Sequence, residues 1–204
     1  NTEVWTQFTG AFNVSNLTAV YGAAILAGIE KEDALRTISL LTPVRGRFET
    51  IKINEITGIV DYAHTPDALE NILKTINEVR IEGQNLITVV GAGGDRDKTK
   101  RPIMAKLAVK NSDKVILTSD NPRTETPESI LDDMEKGIEN SDKKKIIRIT
   151  DRKEAIKTAC LLAAKGDIIL IAGKGHETYQ EINGIRYDFD DRQVFTEQMK
   201  LLNE

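Results

Sequence analysis

From Arg45 onward the sequence alternates short β-branched runs with amphipathic helical stripes, and few architectures accept that alternation. The runs are Phe48–Ile53, Ile56–Tyr62, Leu86–Val90, Val115–Ser119, Ile146–Ile149 and Ile168–Ala172. Between the second and third, Leu69, Ile72, Leu73, Ile76 and Val79 fall at i, i+3, i+4, i+7 and i+10, a single apolar stripe. Thr65-Pro66 supplies that helix with an N-cap hydroxyl and an N1 proline, and Thr126-Pro127 repeats the opening before Ile130, Leu131, Met134 and Ile138. Asp151-x-x-Glu154 starts another helix, which Gly166 is expected to end. A last helix is expected from Arg192 to Leu202, after an edge strand or turn at Tyr187-Asp188-Phe189. Strand–helix–strand units of roughly 20–30 residues imply crossovers between parallel neighbours. The expected fold class is therefore α/β: a Rossmann-like, mostly parallel sheet with helices on both faces.

Residues 1–44 have another character, an extended start followed by helices from near Asn16 to Ala27 and from Lys31 to Leu41, broken at Gly28. The expected division is 1–44 and 45–204. The chain opens Asn-Thr-Glu-Val-Trp, without an initiator Met or a basic-then-apolar leader, and is expected to be a piece of a longer polypeptide. Lys+Arg is 28 and Asp+Glu 32, a net charge of −4, with no basic footprint for nucleic acid or an anionic membrane. The longest nearly apolar stretch, Ala19–Ile29, is 11 residues, against the roughly 20 a spanning helix needs. A lone Cys160 excludes an internal disulfide, so a cytoplasmic setting is expected.

In open α/β sheets ligands bind beyond the carboxyl ends of the strands. Those ends carry Asp61-Tyr62-Ala63-His64-Thr65-Pro66-Asp67, Gly91-Ala92-Gly93-Gly94-Asp95-Arg96-Asp97-Lys98, Ser119-Asp120-Asn121-Pro122-Arg123 and Gly173-Lys174-Gly175-His176-Glu177. Both histidines of the chain, His64 and His176, fall on this one edge. The first glycine cluster is not a dinucleotide fingerprint, because position 96 is Arg, and no Gly-Lys-Ser/Thr follows to make a Walker A loop. It reads as a loosened loop aiming Arg96 at an anion, or as a plain turn. Asp120-Asn121-Pro122-Arg123 could be a β-turn, although a turn does not require the arginine. His176 alone reads as structural and Glu177 alone as equally a solvated acid. His64 has no partner at metal-ligand spacing, and Cys160 reads as core.

Six segments occur in order: Gly10-Ala11-Phe12-Asn13-Val14-Ser15-Asn16, Gly46-Arg47-Phe48-Glu49, Asp61 to Asp67, Gly93 to Lys98, Asp120 to Arg123, and Gly173 to Glu177. Together they resemble the Mur ligase family, in its branch that adds the third residue of the peptidoglycan stem peptide, over essentially the whole chain. The resemblance implies a three-domain, ATP-dependent amide ligase. Residues 1–44 would be the tail of its central ATP-binding domain and 45–204 its C-terminal, amino-acid-binding domain. The P-loop, the Mg²⁺ ligands and a carbamylated lysine would lie upstream, leaving this piece inactive alone. The implied partners are ATP, UDP-N-acetylmuramoyl-L-Ala-D-Glu, meso-diaminopimelate and the upstream domains, with no nucleic acid and no membrane. The incoming amino acid would be held by Arg96, Asp120, Asn121, Pro122, Arg123, Gly173 and Glu177. Asn16 would face adenine, Arg47 the phosphates and Asp61 the ribose, with His64 lining that nucleotide edge. Thr99 and Ala92 depart from the family pattern, where glycine and cysteine are expected.

The tetrad 120–123 resembles the diaminopimelate version. Diaminopimelate carries a carboxylate and an ammonium at its far end, whereas L-lysine carries only the ammonium. Arg96 and Arg123, both expected to be largely dehydrated, would grip that carboxylate, and Glu177 and Asp120 would accept from the ammonium. The implied reaction forms an acyl phosphate, which the diaminopimelate amine attacks. Alternatives are an L-lysine-adding homologue, a folylpolyglutamate synthetase-like ligase and a non-catalytic amino-acid-binding module.

Overall fold

The structure is a computed structural model that describes residues 2–8 and 10–202. The chain divides into two units, residues 1–44 and 45–204. In the first, α1 (Ala11–Leu26) and α2 (Lys31–Leu40) follow an extended start. Helix α1 begins well before the expected Asn16, and among the described residues of this unit only Ala34 and Ile38 are buried hydrophobics.

The second unit is a six-stranded sheet in the order β1-β2-β6-β3-β4-β5, formed by β1 (Glu49–Ile53), β2 (Ile56–Asp61), β3 (Leu86–Ala92), β4 (Lys114–Ser119), β5 (Ile146–Arg148) and β6 (Ile168–Ala172). Only β1 is antiparallel; it returns from β2 through Asn54 and Glu55, both in the left-handed region. The crossovers use α3 (Pro66–Val79), α4 (Lys100–Asn111), α5 (Pro127–Glu135) and α6 (Arg152–Leu162). From β2 to β5 the chain steps one way along the sheet, then doubles back to insert β6 between β2 and β3. Right-handed crossovers place helices on opposite faces when that direction reverses. Accordingly α6 packs with α7 (Asp191–Leu201), while α3, α4 and α5 pack in sequence.

The β3 and β6 strands are buried along their whole lengths, as central parallel strands must be. Under α6 and α7 lies a core of Val60, Val89, Ile116, Ile156, Ile171 and Phe195, which includes Cys160. Burial pushes the Cys160 thiol up to about 12. Gly58 is needed there, because a Cβ would lie 2.5 Å from the Phe195 ring.

The caps follow the sequence reading in part. Thr65 Oγ1 accepts from the Ala68 N–H (3.3 Å) and Asp151 Oδ1 from the Glu154 N–H (2.9 Å). Thr126 makes no side-chain cap, so there only the proline half of the repeated opening operates. Gly166 does not end α6, which stops at Leu162; it lies in the next turn, where its φ of +92° permits the Ala164–Asp167 reversal. Residues 187 and 188 belong to β8 (Ile185–Asp188), paired with β7 (Tyr179–Ile182), a strand the sequence reading lacked.

Candidate functional site

Beyond the carboxyl ends of β2, β6, β3 and β4 lies a cleft of about 310 Å³. Arg96, Asp120, Asn121, Arg123, Gly173 and Glu177 all line it, as do His64, Tyr62 and Lys100. Pro122 does not: it is buried behind the wall, where its carbonyl lies 1.9 Å from the point a Cβ on Gly94 would occupy. A groove of about 410 Å³ at the amino edge of the sheet is larger, but its cations pair locally, Lys74 with Glu70 and Arg80 with Asp113. The convergent turns and charges are in the smaller cleft.

The 120–123 turn is fixed from both sides. The Gly94 N–H donates to the Asn121 carbonyl (2.9 Å), which only a glycine pressed on Pro122 permits. From the other side comes the β7–β8 hairpin. The Arg123 N–H donates to Glu181 O (3.0 Å) and the Asn183 N–H to Arg123 O (2.7 Å). The Glu181 N–H donates to Asn121 Oδ1 (2.9 Å), and Gln180 Nε2 to the Asp120 carbonyl (2.6 Å). These bonds hold Arg123 at a φ of +53°, a costly conformation for a side-chain residue that persists where its surroundings over-determine it. Its Nη1 donates to Gly94 O (2.7 Å) and its Nε lies 3.8 Å from Glu181, with the side chain 20% exposed. Sequence reading missed this buttress, although Asn183-Gly184, both at positive φ, is a strong hairpin-turn signal.

Arg96 is different. It is exposed, and its Nη1 donates to the carbonyl of its own neighbour Asp95 (3.4 Å). The expectation of two dehydrated guanidiniums therefore holds for Arg123 and fails for Arg96, because the glycine-rich loop carries Arg96 outward. The loop itself is anchored by Arg101, which is fully buried and was also missed. Arg101 reaches Glu125 through both terminal nitrogens (2.7 and 3.0 Å), Asp133 (2.9 Å) and Gly93 O (3.2 Å). Glu125 in turn accepts from the Asp95 N–H (2.7 Å), and Lys98 lies 3.0 Å away. The Arg101 guanidinium beside it lowers the Glu125 carboxyl to about 2.

Lys174 is the second omission. Its side chain is 0% exposed, and its ammonium sits among Asn121, Glu177 and Asp120. Gly173 meets the same wall: a Cβ there would lie 2.6 Å from Asp120 Oδ2. Deeper still, Arg152 and Asp191 form a fully buried bidentate pair whose Nη2 also donates to Ala172 O (3.1 Å) at the end of β6.

The residues expected at the nucleotide divide. Arg47 is exposed, its guanidinium 4.9 Å from the Tyr62 ring. Tyr62 also touches His64 (4.5 Å) and His176 (5.1 Å). His64 lines the same cleft as Arg96, Asp120 and Arg123, held by Nδ1 against Tyr62 O (2.7 Å). Asp61 does not line the cleft; it accepts from the Phe48 N–H (2.7 Å), and burial raises its pKa despite bonds from Phe48 and Ala63. Asn16 lies exposed on α1 in the first unit. Among the described residues no cluster of three or more His, Cys, Asp or Glu side chains could hold a metal ion. The described helices include none long and apolar enough to cross a membrane.

The chain is 59% identical over 199 residues to the UDP-N-acetylmuramoyl-L-alanyl-D-glutamate–2,6-diaminopimelate ligase of Bacteroides thetaiotaomicron, which covers 97% of this chain and 41% of the relative. It therefore spans about two fifths of the length of that relative. A solved structure of a ligase of the same name superposes with a TM-score of 0.76 at 45% identity, over 98% of this chain and 41% of that one. Mycobacterium tuberculosis folylpolyglutamate synthase complexed with ADP shares the fold, with a TM-score of 0.67 at 19% identity over 84% of this chain and 39% of its own. The Mur ligase, glutamate ligase domain matches residues 46–175, from the glycine before Arg47 to the loop that carries Lys174, and the chain belongs to the Mur ligase family.

Proposed function

We propose that this chain is the amino-acid-binding part of an ATP-dependent amide ligase that joins meso-diaminopimelate to the γ-carboxylate of UDP-N-acetylmuramoyl-L-Ala-D-Glu in the cytoplasm. The observation that carries this is the division of charge within one cleft. On one wall, Asp120 and Glu177 face the buried Lys174, and the buried Arg152 behind them is matched by Asp191, leaving one net negative charge. On the other stand Arg123, Arg96 and Lys100. Opposed charges lining one cleft suit a carbon that bears both an ammonium and a carboxylate. Diaminopimelate has two such centres: one supplies the reacting amine and the other remains as a handle. L-Lysine has one, and seating it in the cleft would remove the α-amine from the reaction.

ATP activates the carboxylate as an acyl phosphate in this reading, and the amine attacks it. Arg47, exposed on the Tyr62 ring, suits a phosphate, and Asp61 suits a ribose hydroxyl. Asn16 is assigned to adenine on the family resemblance. On the family resemblance the Mg²⁺ ligands would lie in other parts of the ligase. The work of this chain is positioning, which turns an encounter between amine and acyl phosphate into a near-intramolecular step.

Steady-state turnover by the complete ligase, with meso-diaminopimelate and L-lysine in competition, tests the reading. Unmet buried charge in the lysine complex gives an expected preference of roughly 10⁴-fold for diaminopimelate. Preference for lysine would overturn it.

A further inference from the structure

The acidic wall contains a lysine that cannot reach a ligand directly, since its side chain is 0% exposed. Its Nζ lies 3.0 Å from Asn121 Oδ1, 3.1 Å from Glu177 Oε2 and 3.8 Å from Asp120 Oδ1. The ammonium thus donates to Asn121 and Glu177 and is ion-paired with Asp120. Its remaining face looks at the Tyr179 ring, 5.5 Å away. Asn121 Nδ2 donates to the same Glu177 oxygen (2.9 Å), so two donors converge on Oε2 and Oε1 remains for an occupant of the cleft. The carbonyl oxygen of that Asn121 side chain also takes the Glu181 N–H (2.9 Å), which links the lysine to the hairpin.

Stability alone does not account for this arrangement. A buried ion pair recovers little more than the desolvation it costs, and a methionine would fill the same space without burying a charge. What the ammonium uniquely does is sit between two carboxylates, hydrogen-bonded to Glu177 and ion-paired with Asp120.

We infer that Lys174 is a positioning residue for ammonium recognition: it locks Glu177, Asn121 and Asp120 into one wall whose surplus negative charge selects the distal ammonium of the incoming amino acid. This rests on the amino-acid reading of the cleft. Without Lys174, Asp120 and Glu177 repel each other and the wall loses both its spacing and its aim, while Arg123 keeps its backbone bonds to Glu181 and Asn183 and its guanidinium bond to Gly94.

The test compares two substrates in the complete ligase, at saturating ATP and UDP-sugar dipeptide. They are meso-diaminopimelate and 2-aminopimelate, which keeps the distal carboxylate and lacks only the distal ammonium. The substitution is Lys174→Met. The expected result is a KM for diaminopimelate raised roughly 10- to 100-fold, the range for losing an aligned charged hydrogen bond. The kcat/KM for 2-aminopimelate and the KM for ATP should each change by less than about threefold, within the scatter of substitutions outside an interaction. If both amino acids lose equally, Lys174 is structural and the inference is overturned. If the unmodified ligase turns over neither, the amino-acid reading fails first and takes the inference with it. Should Lys174→Met fail to fold, as read by loss of the near-ultraviolet circular dichroism, Lys174→Gln carries the same comparison. It keeps a donor toward Glu177 without the charge and should show the same selective loss, diminished in size.

Discussion

The two arginines that the sequence pairs on one carboxylate live in different surroundings. Arg123 is 20% exposed, at positive φ, and fastened through backbone and guanidinium to Gly94, Glu181 and Asn183. Arg96, on the glycine loop opposite, is exposed and fastened to little besides its neighbour. The cation side of the cleft is therefore itself two walls, one built around Arg123 before a ligand arrives and one around Arg96 that the ligand completes. Preorganisation places binding energy in the built wall, because ordering an exposed side chain subtracts from what its contact returns.

The largest effect should come from the residue that joins the two walls. Arg101, 0% exposed, ties Gly93 and, through Glu125, Asp95 to the body of the domain. Arg101→Met leaves Glu125 and Asp133 without their buried partner and should cost about 3–5 kcal/mol, as truncating one member of a buried ion pair does. Chemical denaturation measures it, and a loss below about 1 kcal/mol, the value of a surface pair, would show that the loop needs no anchor.

Next in size, Arg123→Ala should weaken diaminopimelate roughly a hundredfold, within the range for removing one side of a desolvated charge pair, with the KM for ATP unchanged. Unchanged diaminopimelate kinetics would remove the built wall from the site. Acid should loosen the joint between the walls selectively. Glu125 is held at about 2 in the folded protein against an ordinary 4.5, so its contribution to stability is complete above about pH 4.5 and is lost as the pH falls toward 2. The stability difference between the native protein and Glu125→Gln, followed by denaturant titration from pH 6 downward, should shrink through that window and be flat above it.

Periodicity made the sheet legible: all six of its strands were expected within two residues of their observed ends, because buried parallel strands are continuous apolar runs. Binding chemistry was legible as residue types at strand ends, and the cleft gathers Asp120, Asn121, Arg123, Gly173 and Glu177. Environment was not. Lys174 and Arg101 read as ordinary surface cations until folding buries them, since burial depends on contacts such as Lys174 with Asn121, 53 residues away. The hairpin escaped for another reason. Its strand β8 is exposed throughout and so lacks the alternation of a half-buried strand, leaving only the Asn183-Gly184 turn to betray it. Arg96 shows the converse error, a residue that does line the cleft but was given an environment drawn from its partner.

Arg96 also supplies the smallest expected effect and the sharpest discrimination between the walls. An exposed guanidinium meeting a carboxylate gains little more than a surface ion pair, up to about 1 kcal/mol, so Arg96→Ala should weaken diaminopimelate only about fivefold. That small loss should also depend on salt, because a solvent-exposed pair is screened at high ionic strength, whereas the Arg123 contribution, shielded from solvent, should persist. Measuring the diaminopimelate KM of both variants at low salt and at about 1 M, where the screening length is near 3 Å, separates the cases. Convergence of Arg96→Ala with the native protein at high salt, with Arg123→Ala still deficient, is the expected pattern. If Arg96→Ala instead matches Arg123→Ala at both salt concentrations, the ligand draws Arg96 inward and dehydrates it. The outward loop would then be a gate that closes on binding, and both walls would share the carboxylate equally.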